Sequence, residues 1–373
     1  MRRVVLCMAV MTHAVHADAA PWTVTVEGGA EADSNVQRVE TGPSLETSPI
    51  AAPVMRLGGR LGNKGRVLDG SYALNLSTRA RFVAGDYAIS PENIVLLTGD
   101  ARWLHAVGQR PLSVGVALTA ADALPISDAI GARTFRNLGA DALLVLRDGD
   151  DRSLTLAAGG RDFTFKPNTE FNWTGPTATL RLDLVLWQPA ARTKSLELSS
   201  ILGIDLRSYR GVAFADACPM DAPSDPSCFA PTSLGRRDRY HRVGLELTWT
   251  GEIVVAGGYQ LVVIDSNSFG QSLVRHRGQV SVTTALPFDV YASLLGIVQI
   301  DQFLDGLVVQ TDPNQQQFTN LDDENRSSLQ LRLGRPISSG WSVEGRAAIW
   351  RNLGNSDNTF HRELVYGGLI YTR

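Results

Sequence analysis

The sequence predicts an all-β protein, a closed antiparallel transmembrane β-barrel of about sixteen strands, with fourteen strands as the alternative. Three observations lead to this prediction. Apolar residues recur at every second position, the joints between these segments alternate between tight and long, and aromatic residues gather at the segment ends. Fourteen strands would result if the first hairpin, which contains a long linker, stood apart from the sheet.

The period of two is clear where Leu180, Leu182 and Leu184 share one face and Arg181 and Asp183 share the other. An amphipathic helix would repeat its apolar positions at three and four residues instead. Many of these segments are longer than a typical globular strand and reach the nine to eleven residues that cross a bilayer. We predict strands near residues 22–30, 52–61, 71–82, 93–107, 112–120, 132–146, 152–165, 177–188, 194–209, 238–250, 253–266, 272–285, 288–303, 326–335, 341–352 and 361–372.

The joints between the predicted strands alternate in length. The tight ones are Gly108–Pro111, Arg147–Asp151, Thr250–Glu252, Leu286–Pro287 and Pro336–Gly340. The long polar ones are Glu31–Ala51, Ala121–Gly131, Lys166–Pro176, Arg210–Arg237 and Leu304–Asn325. Bacterial outer-membrane barrels have short periplasmic turns and longer outside loops. The pattern therefore predicts an outer-membrane location with both termini in the periplasm.

Aromatic residues fall at both ends of the predicted strands. Those at the tight-turn ends are Trp22, Trp103, Trp187, Trp249 and Trp341. Those toward the long-loop ends are Trp173, Trp350, Phe82, Phe165, Tyr209, Tyr240 and Phe303. Amphipathic rings favour the membrane–water interface, so we expect two aromatic bands on the lipid-facing surface.

The beginning of the chain has the features of a secretory signal. Met1-Arg2-Arg3 is positively charged, residues 4–11 are mostly apolar, and Ala17-Asp18-Ala19 matches a cleavage site. We therefore expect residues 1–19 to be a signal peptide and residues 20–373 to be the barrel domain. Cys218 and Cys228 would remain in one short polar loop, where an oxidising compartment favours a local disulfide.

The last segment runs to the end of the chain, and Tyr371 lies close to its end, followed by Thr372 and Arg373. In this respect the chain resembles Gram-negative outer-membrane barrel proteins, whose closing strand usually ends in an aromatic residue. The segments 31–35, 236–240 and 322–326 are similar to those of uncharacterised, porin-like barrel proteins, which distantly resemble the barrel of surface-lipoprotein assembly modifiers. This resemblance implies outer-membrane lipids as surroundings and the barrel assembly machinery as a partner during biogenesis.

Composition argues against several classes of function. The formal net charge of −3 does not indicate a nucleic-acid partner. Mean hydropathy is −0.04, as expected of a barrel in which every second residue faces lipid. We predict no cofactor, no metal and no catalytic residue. A lipid-modifying enzyme stays open as an alternative, because Ser266 or Ser268 could lie near His276.

Charged residues alternate with apolar neighbours and should point into the lumen, because an arginine on the lipid face near the midplane costs about 2–4 kcal/mol. Two interpretations of this set are open: an ion-paired ladder that braces the interior, or a water-filled conduit whose excess of arginine favours anions. The predicted lining residues are Arg56, Arg60, Arg79, Arg81, Arg102, Arg181, Asp183, Glu197, Asp205, Arg207, Arg242, Glu246, Arg275, Arg277, Arg332, Glu344 and Arg346.

The favoured function is a porin-like passive channel for small polar or anionic solutes. The first alternative is the barrel component of a surface export or assembly system, which would need a periplasmic partner. The second alternative is the enzyme that contains His276.

Overall fold

The computed structural model describes residues 22–39, 41, 48–85, 87–126, 134–217, 229–304, 326–352 and 359–373. In these residues sixteen strands form one closed antiparallel barrel in which each strand pairs with its neighbours in chain order. No helix of the described residues is both long and apolar enough to cross a membrane. The strands are β1 (Thr23–Asp33), β2 (Ala52–Val67), β3 (Gly70–Val83), β4 (Ile94–Ala106), β5 (Leu112–Pro125), β6 (Phe135–Asp148), β7 (Arg152–Phe165), β8 (Trp173–Trp187), β9 (Ser195–Asp216), β10 (Phe229–Thr250), β11 (Ile253–Ser266), β12 (Leu273–Leu286), β13 (Val290–Phe303), β14 (Ser327–Ser338), β15 (Trp341–Arg351) and β16 (His361–Thr372).

The first and last strands close the barrel. Asp33, at the end of β1, lies opposite Leu364 of β16 on one side and opposite Ala52 of β2 on the other. The first hairpin is thus part of the sheet in spite of its linker, so sixteen strands is confirmed and fourteen is wrong. Closure satisfies the backbone groups that would otherwise form open edges, which a bilayer does not tolerate.

The predicted alternation of joints is confirmed. At one end of the barrel, two-residue turns have the positive φ angles of tight hairpins, as at Leu68 (51°) and Asp69 (58°). Gly108 and Gly149, in the next two turns at this end, also have positive φ. The joints at the other end are mostly longer, and two of them contain short 3-10 helices, Tyr87–Glu92 and Thr169–Phe171. The exception is the joint 188–194 between β8 and β9 at the tight-turn end, which is longer than the joint 267–272 between β11 and β12. The backbone of Arg373 pairs with that of Val24. The start of β1 and the end of β16 therefore lie at the same end of the barrel as the tight turns.

The hairpin of β9 and β10 differs most from the sequence prediction. Residues 210–237 are not simply a loop, because β9 continues to Asp216 and β10 begins at Phe229. The two strands keep pairing, but the register shifts on either side of Gly235. These irregularities and Pro231 break the period of two, which explains why the pattern in the sequence ended early. At 22 residues each, these two strands are the longest of the described barrel.

Candidate functional site: the interior face of the barrel

The two faces of the barrel wall differ sharply in chemistry. Large apolar side chains on one face are well exposed, for example Leu118 (53%), Leu245 (54%) and Val365 (63%). Residues opposite each other on neighbouring strands share a face, so this apolar surface continues from strand to strand. Such an extensive exposed apolar surface is suited to hydrocarbon rather than water. It is the outer, lipid-facing surface of a transmembrane barrel.

The opposite face, which points into the barrel, carries the charged residues. Tracing the strand register places every predicted lining residue there: Arg56, Arg60, Arg79, Arg81, Arg102, Arg181, Asp183, Glu197, Asp205, Arg207, Arg242, Glu246, Arg275, Arg277, Arg332, Glu344 and Arg346. Their surroundings differ, and those differences divide the interior into distinct regions.

A cluster of ion pairs joins β14, β15 and β1. Glu344 of β15, which is 1% exposed, pairs with both Arg332 and Arg346. Tyr291 donates a hydrogen bond to Glu344 at 2.5 Å, and Arg346 also contacts Glu27 at 2.9 Å. Both oxygens of this buried carboxylate thus have partners, which buried charges require.

A second cluster of ion pairs lies at the long-loop end of β1. Asp33 accepts hydrogen bonds from Arg362 Nε at 2.9 Å and from Arg81 Nη2 at 2.6 Å. The side chains of all three residues are almost fully buried. Glu31 pairs with Arg56 beside them. We call the whole set the ion-pair network: Glu27, Glu31, Asp33, Arg56, Arg81, Arg332, Glu344, Arg346 and Arg362.

A second region lies on β2 and β4, nearer the tight turns. Lys64 and Arg102 both lie opposite Ala73 of β3, and Arg60 lies further along β2 on the same face. All three cations are exposed to the lumen. In the described part of the chain, none of them has a carboxylate within ion-pair distance, and Asp100 nearby accepts a hydrogen bond from Asn75. We call Arg60, Lys64 and Arg102 the basic patch.

The interior of β8–β13 mixes paired and aromatic contacts. Arg207 lies between the rings of Trp173, at 4.3 Å, and Tyr240, at 3.7 Å. Such guanidinium–ring contacts contribute about 0.5–2 kcal/mol each. Arg242 donates to Asp205 at 3.0 Å. Further pairs in this region include Arg181 with Asp183, Ser195 with Glu197, and Arg275 with Asp301.

The prediction of two lipid-facing aromatic bands is half wrong. Trp173, Phe165 and Tyr209 point inward and are buried in one cluster with Phe135 and Phe163. Ring stacking joins Phe163 to Phe135 at 5.9 Å and to Trp173 at 5.8 Å. Trp350, Tyr240 and Phe303 also have inward parity, whereas Phe82 faces outward. The inward-facing rings form an aromatic lining at the long-loop end of the barrel, because their strand positions share the parity of the lumen.

The aromatic band at the tight-turn end does face outward. Trp187 stacks on Trp249 at 5.6 Å, and Trp341 contacts Tyr371 at 5.0 Å. Trp103 donates a hydrogen bond to the carbonyl of Val67 at 3.0 Å. A ring on the lipid-facing surface whose polar group is satisfied is typical of the membrane interface.

In the described part of the chain, His276 does not form the Ser–His pair that the enzyme alternative requires. Its Nδ1 contacts the hydroxyl of Tyr259 at 2.7 Å on the outer face. Ser266 donates to Asp238 at 2.6 Å, and the hydroxyl of Ser268 accepts from the backbone of Phe214 at 3.0 Å. The described residues also contain no cluster of metal-ligating side chains.

Several inward charges were missed from the sequence. Asp33 and Arg362 lay at or beyond predicted strand ends, and Arg236 with Asp238 lay at the predicted loop–strand boundary. Arg161, which pairs with Asp141 at 2.8 Å, has inward parity and could have been found by extending the alternation of its strand. The predicted signal peptide and the Cys218–Cys228 disulfide lie outside the described residues.

Comparison with known proteins agrees with this architecture. No protein-family model and no curated sequence matches the chain. The outer-membrane channel DcaP of Acinetobacter baumannii is similar with a TM-score of 0.52 and 12% identity, over 96% of this chain and 97% of that chain. OmpF of Salmonella typhi, in a complex with daunomycin, is similar with a TM-score of 0.50 and 9% identity, over 94% and 97%.

The fold is that of an outer-membrane β-barrel. At these identities the likeness establishes the architecture alone. The chemistry of the lumen is therefore inferred from the residues of this chain and not from the similar proteins.

Proposed function

We propose that the barrel is a porin-like passive channel of the outer membrane that admits small polar solutes and favours anions. The basic patch is the observation that carries the proposal. Arg60, Lys64 and Arg102 present positive charge to the lumen, and no carboxylate of the described residues neutralises them. Fixed charge of one sign along a narrow polar path lowers the energy of ions of opposite sign.

The size of the barrel supports a conduit. Barrels of sixteen to eighteen strands enclose enough space for an aqueous channel when side chains do not fill it. Polar and charged residues cover much of the inner face, so water can solvate it. The similar protein DcaP is an outer-membrane channel, which agrees with the proposal.

The proposed orientation places both termini in the periplasm. The ends of β1 and β16 lie beside the tight turns, and the long joints lie at the opposite end. Short turns face the periplasm in bacterial barrels. A protease accessibility assay on intact cells tests this: cleavage should occur at sites placed in the long joints and not at a tag on the C-terminus.

Conductance in planar lipid bilayers tests the channel itself. Purified, folded protein should produce stepwise increases in current in potassium chloride, and a heat-unfolded sample of the same preparation should produce none. Absence of steps from the folded protein, or a clear preference for potassium, would contradict the proposal.

A further inference from the structure

The inner wall contains a recess of about 290 Å³ between β8 and β12. Gly244 and Gly258 line it, and register places both on the inner face, opposite Gln260 and Glu246 respectively. The missing side chain leaves the wall open at Gly258, whereas Ile201 Cγ2 lies 2.7 Å from the place that a Cβ of Gly244 would take. A Cβ atom at Gly258 would lie 3.3 Å from the carbonyl oxygen of Leu245 and 3.4 Å from Gln279 Cγ, so a larger side chain there would extend into the recess.

Two charges of opposite sign line this recess without pairing. In the described part of the chain, Arg277 has no hydrogen-bond or ion-pair partner, and its Nε is buried. Glu246 accepts a hydrogen bond from Gln279 Nε2 at 3.1 Å and has no cation within ion-pair distance among those same residues.

The register explains why these two charges do not neutralise each other. Arg277 lies opposite Gln260, which in turn lies opposite Gly244, so Arg277 and Glu246 are separated by a whole strand. Gly258 and Gln260 lie on the strand between them, and both charges line the same recess.

The remaining lining groups add polarity without net charge. Arg181 is neutralised by Asp183, with Nε and Oδ1 2.9 Å apart, and also donates to Ser199 Oγ at 2.9 Å. Gln260 and Gln279 contribute amides, which both donate and accept hydrogen bonds. The unneutralised charge of the recess is therefore one guanidinium and one carboxylate.

We propose that the recess binds a small zwitterion of the amino-acid class, with its carboxylate on Arg277 and its ammonium on Glu246. A partly buried charge without a partner is costly, and an oppositely charged hydrogen-bonded partner removes that cost. A zwitterion satisfies both groups at once, whereas a simple anion or cation leaves one of them unpaired. This inference deepens the proposed channel function. A role of the recess in transport rests on that function, because it requires that the barrel be a channel.

Equilibrium binding to the purified full-length barrel in detergent tests this without any need for conductance. The probes are radiolabelled glycine, β-alanine and 4-aminobutyrate, with unlabelled butyrate and butylamine as single-charge competitors. At least one zwitterion should bind, and each single-charge analogue should need about tenfold higher concentration to displace it. No binding of any zwitterion, or equal displacement by butyrate alone, would overturn the proposal.

Substitutions assign the two ends of the ligand. Arg277→Gln and Glu246→Gln should each weaken zwitterion binding about tenfold, which corresponds to loss of one charge-assisted contact. Arg66→Gln and Glu252→Gln remove the same charges beside tight turns, away from the recess, and should change binding less than about twofold. Equal losses in the recess variants and these controls would overturn the assignment.

A filled recess gives a test that changes no charge. Gly258→Thr should abolish binding while the protein keeps the heat-resistant mobility of a folded barrel on gels. Retained binding in this folded variant would contradict the recess as the site. Conductance of the wild type separates the two proposals: binding without conductance contradicts the channel alone, and conductance without binding contradicts the recess alone.

Discussion

The ion-pair network and the basic patch use the same residue types in opposite ways. In the network, Arg362 and Arg81 lie on Asp33, and Arg332 and Arg346 lie on Glu344, all within contact distance. In the basic patch, the cations face the lumen, and no carboxylate of the described residues lies within ion-pair distance of them. Pairing, rather than the count of arginines, therefore separates groups that hold the wall together from groups available to a solute.

The interior was open to two interpretations, an ion-paired ladder that braces it and a water-filled conduit that favours anions. The difference in pairing assigns them to different parts of the wall. Bracing by ion pairs describes the wall of β14–β16 and β1 together with the long-loop ends of β2 and β3, where Arg56 and Arg81 belong to the network. The proposed anion preference depends on the basic patch, which lies nearer the tight turns on β2 and β4. Variants of the two regions should therefore separate stability from selectivity, and loss of a buried carboxylate should have the largest effect.

Removing the carboxylate of Asp33 should cause the largest loss of stability. Asp33→Ala leaves Arg81 and Arg362 buried without their shared acceptor, which costs about 3–5 kcal/mol. We expect a lower thermal unfolding midpoint, followed by loss of the heat-resistant form on gels. Asp150→Ala is the control, since this carboxylate is 79% exposed and should change stability by less than about 1 kcal/mol. Equal effects of the two substitutions would show that the network does not brace the barrel.

Neutralising the basic patch should change selectivity and leave stability unaffected. The double variant Arg60→Gln, Arg102→Gln should lower the chloride-to-potassium permeability ratio at least about twofold, because these cations attract anions into the lumen. Its thermal midpoint should match the wild type, since neither side chain has a carboxylate partner in the described chain. An unchanged ratio in a folded variant would mean that the patch does not face the permeation path.

Salt should separate the two regions in the wild-type protein. The Debye length falls from about 10 Å at 0.1 M to about 3 Å at 1 M, so ions screen exposed charges much more than buried pairs. We expect the chloride preference to shrink as potassium chloride rises over this range, while the thermal midpoint hardly moves. A preference that persists at the higher concentration would point to direct binding of chloride instead of a field from the patch.

An exposed ion pair on the outer face should matter least. Arg239 and Asp265 are 3.9 Å apart, and their side chains are 68% and 64% exposed. Arg239→Ala should change the free energy of unfolding by no more than about 0.5 kcal/mol. A larger loss, measured by urea unfolding in lipid vesicles, would show that exposure is a poor guide to which pairs stabilise this barrel.

Much of the fold could be predicted from the sequence, because a wall with lipid on one side imposes a period of two. The predicted strands 152–165, 253–266 and 361–372 match β7, β11 and β16. Bulges hide that period, which explains the error around Gly235 in β10. The same parity that places Arg181 in the lumen extends to Trp173 and would have placed that ring inside as well.

The face of the wall on which the charged residues lie followed from parity, but their partners did not. Asp33 and Arg362 lie 329 positions apart in the chain and meet only because β1 closes on β16 in one register. Alternation tells which face a residue occupies and says nothing about which residue lies beside it on the next strand. The contrast between the ion-pair network and the basic patch therefore needed the structure.

The reversal potential across a potassium chloride gradient tests the central claim most directly. With a concentration gradient between the two sides of a planar bilayer, the wild-type barrel should give a reversal potential displaced toward the chloride equilibrium potential. The displacement should shrink in the double variant of Arg60 and Arg102. A value displaced toward the potassium equilibrium potential would contradict an anion-favouring channel.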